Sequence, residues 1–164
     1  MAGTSPTLTR ILDVVETPIT ESAGFASKKV KGLYDWWVGA NDGRMPRRRQ
    51  FDVLDHKPIV ANLFVVDVLP EGEFRFRLMG EDVIQILGRN RKGELVGRAN
   101  RGEYGHELAA YYESIVAGRA CRKCTGSLVF ATRGLRRFES IDCPLSDDSA
   151  EQVTAIIGVM DLIK

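Results

Sequence analysis

The run VTAIIGVMDLI, Val153 to Ile163, constrains the fold of this chain more than any other stretch. Apolar residues fill both its odd and its even positions, so as a strand it has no face to give to water. It predicts a buried central strand. A second run, Leu63 to Val68, is apolar at nearly every position and needs the same cover. It is the first arm of ANLFVVDVLPEGEFRFRLMG, which reads as a hairpin around a Pro-Glu-Gly turn. In the second arm Phe74, Phe76 and Leu78 alternate with Arg75 and Arg77, the pattern of a strand with one wet face. GSLVFAT predicts another strand, and in RRFESIDCPLSDD the residues Ile141, Cys143 and Leu145 alternate with polar neighbours.

Helical spacing fills the gaps. Leu8, Ile11, Leu12 and Val15 suggest a short amphipathic helix before Pro18, and TPITESAGFAS then reads as a linker. Ser27 can cap a helix whose apolar stripe is Val30, Leu33, Tyr34 and Trp37, with GANDG as its end. Glu81 and Asp82 suit the start of a short helix stopped by Gly88. A longer helix runs from about His106 to Ala117, with Leu108, Tyr111, Tyr112 and Ile115 inward.

The order of these elements resembles the PAS sensory fold. LYDWW, GRMPRRRQFD, NLFVVDV, FRFRLMG, VIQILGRN and CPLSDD together resemble a family of short, stand-alone bacterial PAS-like proteins, over about Val30 to Ile163. The resemblance implies an α+β fold: a five-stranded antiparallel sheet with helices on one face and an N-terminal helical extension. The last strand would lie centrally beside the first, and the second at an edge. Residues 1–27 would be an extension, and 28–164 the domain with its N-terminal helix. That helix would cover the sheet's other face or pair with a second protomer. Trp36 and Trp37 point about 100° apart on a helix, so Trp36 looks away from the stripe. A homodimer contact through Val30, Leu33, Tyr34, Trp36 and Trp37 is the expectation.

The net charge is +1, but charge is local: Lys28 to Arg49 holds seven basic residues against Asp35 and Asp42. The four arginines of GRMPRRRQFD fall between the N-terminal helix and the first strand, where the family resemblance places a Met-Pro-Arg-Arg motif followed by Asp. Guanidinium forks tie carbonyls and carboxylates together, so Arg44, Arg47, Arg48 and Asp52 are expected to form a structural seam, with Asp55 as a further acceptor. A nucleic-acid grip would need stacking aromatics among the basic residues, and only Phe51 is near. No run is long enough to span a bilayer, and the N-terminus lacks a secretory pattern. The three cysteines do not form a disulfide framework. A cytoplasmic protein is the reading.

Cys121 and Cys124 form one C-x-x-C beside Arg119, Arg122 and Lys123, which makes a small thiol redox protein the alternative function. A basic nucleic-acid-binding adaptor is another. His56 and His106, the two histidines, lack a context for haem, and GEDVIQILGRN lacks the cysteine motif of flavin photosensors. No catalytic triad, P-loop or dinucleotide fingerprint occurs, so neither enzyme activity nor a cofactor is expected. The leading reading is a non-catalytic sensory or interaction module. It would bind a small apolar or amphipathic ligand, or a signalling partner, and no nucleic acid or membrane. Met79, Ile84, Leu87, Tyr111, Leu128, Phe130, Ile141, Cys143 and Ile157 are the candidate pocket residues, each of which serves equally as plain core.

Overall fold

The computed structural model describes residues 8–19, 24–97, 105–131, 134–148 and 152–164. Its strands are β1 (Leu8–Thr17), β2 (Leu63–Val68), β3 (Phe74–Met79), β4 (Leu95–Val96), β5 (Arg122–Phe130), β6 (Gly134–Ser146) and β7 (Val153–Ile163). Its α-helices are α1 (Lys28–Ala40), α2 (Glu81–Leu87) and α3 (Gly105–Gly118), with 3₁₀ turns at Arg48–Gln50 and Val53–Asn62. The strands form one antiparallel sheet in the order β1-β5-β6-β7-β2-β3-β4. β7 lies between β6 and β2, as its unbroken apolar pattern requires.

The sheet has seven strands and not the expected five. Its inner run β3-β2-β7-β6-β5 has the anticipated order, and each end carries an addition. β4 pairs with β3, so β3 is not the edge. At the other end β1 replaces the expected N-terminal helix and pairs with β5. The spacing of Ile11, Leu12 and Val15 fits a helix, but LTRILDVVET is rich in β-branched residues that favour a strand. The open hydrogen-bonding edge of β5 supplies the partner. Register shifts and a left-handed Asp13 (φ 54°) kink the strand, which is how a 3.6-residue pattern fits onto a pleated ladder.

Alternation on the central strands builds two cores. Ile156 and Met160 of β7 join Phe64, Phe74, Phe76 and the α2–α3 residues Val83, Ile86, Tyr112 and Ile115 on one face. Ala155, Ile157 and Val159 join Leu63, Ile141, Cys143 and Leu145 beneath α1 on the other. α1 begins at Ser27, whose Oγ accepts from the Val30 amide at 3.2 Å and donates to Asp161 Oδ2 at 2.7 Å. Val30 and Leu33 are fully buried under it. Burial of such a side chain is worth about 1.5–3 kcal/mol, so these contacts contribute to holding the helix on the sheet. Glu139 on β6 fixes the same end, accepting from the Ala26 and Ser27 amides at 2.9 and 3.0 Å and pairing with buried Lys123.

Val30 and Leu33 of the stripe expected at a dimer contact are therefore buried inside the chain, while Tyr34, Trp36 and Trp37 are half-buried. Trp37 donates its indole N–H to the Pro144 carbonyl at 2.8 Å. Tyr34 packs on Phe25, and Trp36 is half-buried against Phe51 and His56, which stack on each other. The segment that covers Trp36 thus follows α1. A dimer contact through Val30 and Leu33 is corrected by this packing.

The arginine stretch does join parts of the fold, but with other partners than Asp52 and Asp55. Arg48 donates to Asp67 Oδ1 on β2 at 3.0 Å, where Arg77 also binds, and Arg49 pairs with Asp148. Asp52 instead caps the second 3₁₀ turn through the Leu54 amide. Arg47 joins the sheet by its backbone, in a parallel bridge to Ser146. Arg44 is exposed and its amide bonds to the Asn41 carbonyl. Asp67 is buried and close in space to three arginines, while Asp52 and Asp55 are exposed and close only in sequence. Among the described residues, no helix is long and apolar enough to cross a membrane.

A candidate ligand cavity between sheet and helices

The β2–β3 hairpin sets the floor of a cavity. Val65 faces Leu78 and Val66 faces Phe76, so Arg77 is the extra residue of a bulge. The bulge breaks the expected alternation: Leu78 turns outward, and Met79 turns in beside Phe76. Gly158 at the centre of β7 makes the room behind them. A Cβ there would run into the Phe64 ring, so glycine is what lets that ring lie flat against the strand.

Above this floor stand α2 and the inward face of α3. Together they enclose a cavity of about 570 Å³, walled by Phe64, Phe76, Met79, Val83, Leu87, Leu108, Tyr112, Phe138 and Met160. Ile11 and Val14 of β1 form part of its rim, with Arg91 and Glu107. One end is polar, where Tyr111, Cys124, Ser140 and Asp142 converge. Tyr111 donates its hydroxyl to Asp142 Oδ2 at 2.7 Å, and the Cys124 thiol lies 3.6 Å from the same hydroxyl. An apolar chamber with a few convergent polar groups is the usual make-up of a small-molecule site.

Burial governs the electrostatics here. Asp142 is 3% exposed, and burial pushes its carboxyl up to about 7, against the pull of the Tyr111 hydrogen bond. Burial and then the Asp142 charge push Tyr111 up, and burial raises Tyr112 well above its ordinary value. The Cys124 thiol is pushed up to about 11 by burial, with the Tyr111 contact opposing. Both phenols and the thiol are thus neutral near pH 7, and Asp142 is the group that titrates.

Met79, Leu87 and Tyr111 of the sequence-predicted set line the cavity. Ile84, Leu128 and Phe130 lie in the same core but away from the lining. Ile141, Cys143 and Ile157 are on the opposite face beneath α1, which corrects their assignment to the pocket. Ser140 and Asp142, the polar neighbours in that alternation, are what β6 shows to the cavity. An aspartate inside a long strand that must be covered on both sides was the signal for it.

The C-x-x-C does not form one site. Residues three apart on extended backbone face opposite ways, so Cys124 meets the cavity and Cys121 packs with the core under α1. Buried Cys143, whose thiol is held well above its ordinary range by burial, is the sulfur beside Cys121. Among the described residues, no group of three or more His, Cys, Asp or Glu side chains could hold a metal ion. His106 falls in α3, but its side chain lies outside the described residues.

The family model described as PAS domain matches residues 26–160 of the chain. No curated protein and no solved structure matches it.

Proposed function

The chain belongs to the PAS-domain family, and from that premise we propose that it is a non-catalytic sensory module that takes a small amphipathic ligand into the cavity between its sheet and α2–α3. The observation that carries this reading is the cavity itself: apolar walls converging on Tyr111, Ser140 and buried Asp142. The alternatives are less well supported. A thiol redox role lacks an adjacent pair of activated cysteines, and the arginines Arg48, Arg49 and Arg77 are answered by carboxylates within the chain. Three free thiols suit a reducing cytoplasm.

Strand β6 offers the route from ligand to surface. Its Ser140 and Asp142 face the cavity, while Glu139, next to Ser140, binds the backbone at the start of α1. A movement of β6 on ligand binding therefore moves the anchor of α1, whose outer face is where a signalling protein or a second copy would dock. Thermal-shift screening of small amphipathic compounds tests the reading, using wild type and Ser140→Phe, which fills the cavity. Compounds that stabilise the wild type and not the variant support it. Compounds that stabilise both equally place binding elsewhere and contradict it.

A further inference from the structure

Three carboxylates among the described residues are buried: Asp67, Glu139 and Asp142. Asp67 is answered by Arg48, Arg75 and Arg77. Glu139 is answered by Lys123 and two backbone amides. Asp142 has the Tyr111 hydroxyl and, among the described residues, no cation. The nearby guanidinium of Arg122 is committed to Glu16 and to the Ser114 hydroxyl. A buried carboxylate without a counter-charge is costly to keep, and this one opens onto a chamber large enough for a molecule.

The walls of that chamber narrow the chemistry. Phe64, Phe76, Tyr111, Tyr112 and Phe138 contribute five aromatic rings to the lining. Aromatic faces attract cations, most strongly where water is excluded, and they pack equally well against an apolar body. The positive group at the rim, Arg91, stands over the Phe76 ring, 5.0 Å from its centroid, and lies 3.5 Å from Glu94 Oε2, while its buried Nε has no hydrogen-bond partner. The second rim charge is the exposed carboxylate of Glu107.

We propose that the ligand is an amphipathic amine, with its ammonium group seated on Asp142 and its apolar body among the aromatic rings of the cavity. This rests on the reading of the cavity as a ligand site. Asp142 supplies the charge, Tyr111 holds one of its oxygens and leaves the other to the ligand, and Ser140 stands beside them as a further acceptor. The groups facing Asp142 from neighbouring elements are Tyr111 and Tyr112 of α3 and Cys124 of β5, all neutral near pH 7. The Glu16–Arg122 pair lies behind them and cancels itself. Amine affinity therefore follows the ionisation of Asp142: it falls as pH drops below about 7 and levels off above.

The test uses three probes with one body and different heads: phenethylamine, 2-phenylethanol and 3-phenylpropanoate. Calorimetric titration at pH 8 is expected to give phenethylamine at least tenfold tighter binding than the alcohol, and no measurable binding of the carboxylate. Asp142→Asn is expected to bring the amine down to the level of the alcohol, whose own affinity stays within about twofold. The wild-type pH series needs no variant, and should show the amine weakening from pH 8 to pH 5 while the alcohol does not. An alcohol that binds as tightly as the amine overturns the proposal and leaves the cavity a ligand site. Tightest binding by the carboxylate overturns it as well, in favour of Arg91. If none of the three binds while a compound from the thermal-shift screen stabilises the wild type and not Ser140→Phe, the proposal falls and the cavity reading stands.

Discussion

Replacing Asp142 by asparagine should make the protein more stable than wild type, by a margin that widens as pH rises from 5 to 8. The side chain is 3% exposed, and burial raises its carboxyl to about 7; the unfolded chain would titrate near the ordinary aspartate value of about 3.9. Because the folded value is the higher one, the folded state holds the proton longer. Stability is then fully present below the unfolded value and is lost as pH rises through about 7. Between pH 5 and pH 8 the loss integrates to about 2–3 kcal/mol, since each pH unit over which only the folded state is protonated costs roughly 1.4 kcal/mol. Asparagine keeps an acceptor for the Tyr111 hydroxyl and cannot ionise, so the variant escapes that loss. For a domain of this size 1 kcal/mol moves Tm by about 2–4 °C, so the variant's lead over wild type should widen by about 5–10 °C from pH 5 to pH 8. Thermal denaturation of both proteins from pH 5 to pH 8 is the assay, and their difference isolates Asp142 from every other titrating group. Parallel curves, or a wild type that gains on the variant as pH rises, would refute the reasoning.

Three further outcomes are expected. Gly158→Ala drives a Cβ into the Phe64 ring and should cost about 1–3 kcal/mol by overpacking, read as a lower denaturant midpoint at unchanged slope. Asp67→Ala should lower stability by about 1–2 kcal/mol, discounted because Arg48 and Arg77 are partly exposed and can return to water. Although burial pulls Asp67 up, hydrogen bonds from Arg77 and Arg48 hold it below its ordinary value, so its contribution is present at neutral pH and lost on acidification; equal acid sensitivity in wild type and variant would contradict this. With a thiol reagent at pH 7, half-buried Cys121 should react first and Cys124 and Cys143 only on unfolding, because burial holds the latter two protonated.

The parts of the fold written in local chemistry were legible from the chain. Ser27 caps α1, Gly88 in the left-handed region ends α2 (φ 87°), and the doubly apolar Val153–Ile163 lies at the centre of the sheet. What local pattern could not decide was which face is which. Period-two alternation correctly groups Ile141 with Cys143, but their side of the sheet follows from register alone, and a single step exchanges the two faces. The pocket residues were therefore drawn from both sides. The same ambiguity hid Ser140 and Asp142, the polar neighbours in that alternation, as cavity residues. Long-range partners were also hidden: Arg48 finds Asp67 because a 3₁₀ segment folds the arginines back over the β2–β3 hairpin. At Leu8–Thr17 the helical spacing competed with β-branched content, and the free edge of β5 decided for the strand.

The central claim is that the cavity bounded by Tyr111, Asp142 and the aromatic rings is where a small molecule binds. Native mass spectrometry of the folded protein purified without denaturant, beside the cavity-filling Ser140→Phe, measures that most directly. The account predicts a wild-type species heavier than the chain by the mass of one small molecule, released on unfolding and absent from the variant. A bound mass carried equally by both proteins, or a wild type that stays bare after incubation with every compound found to stabilise it, would contradict the claim.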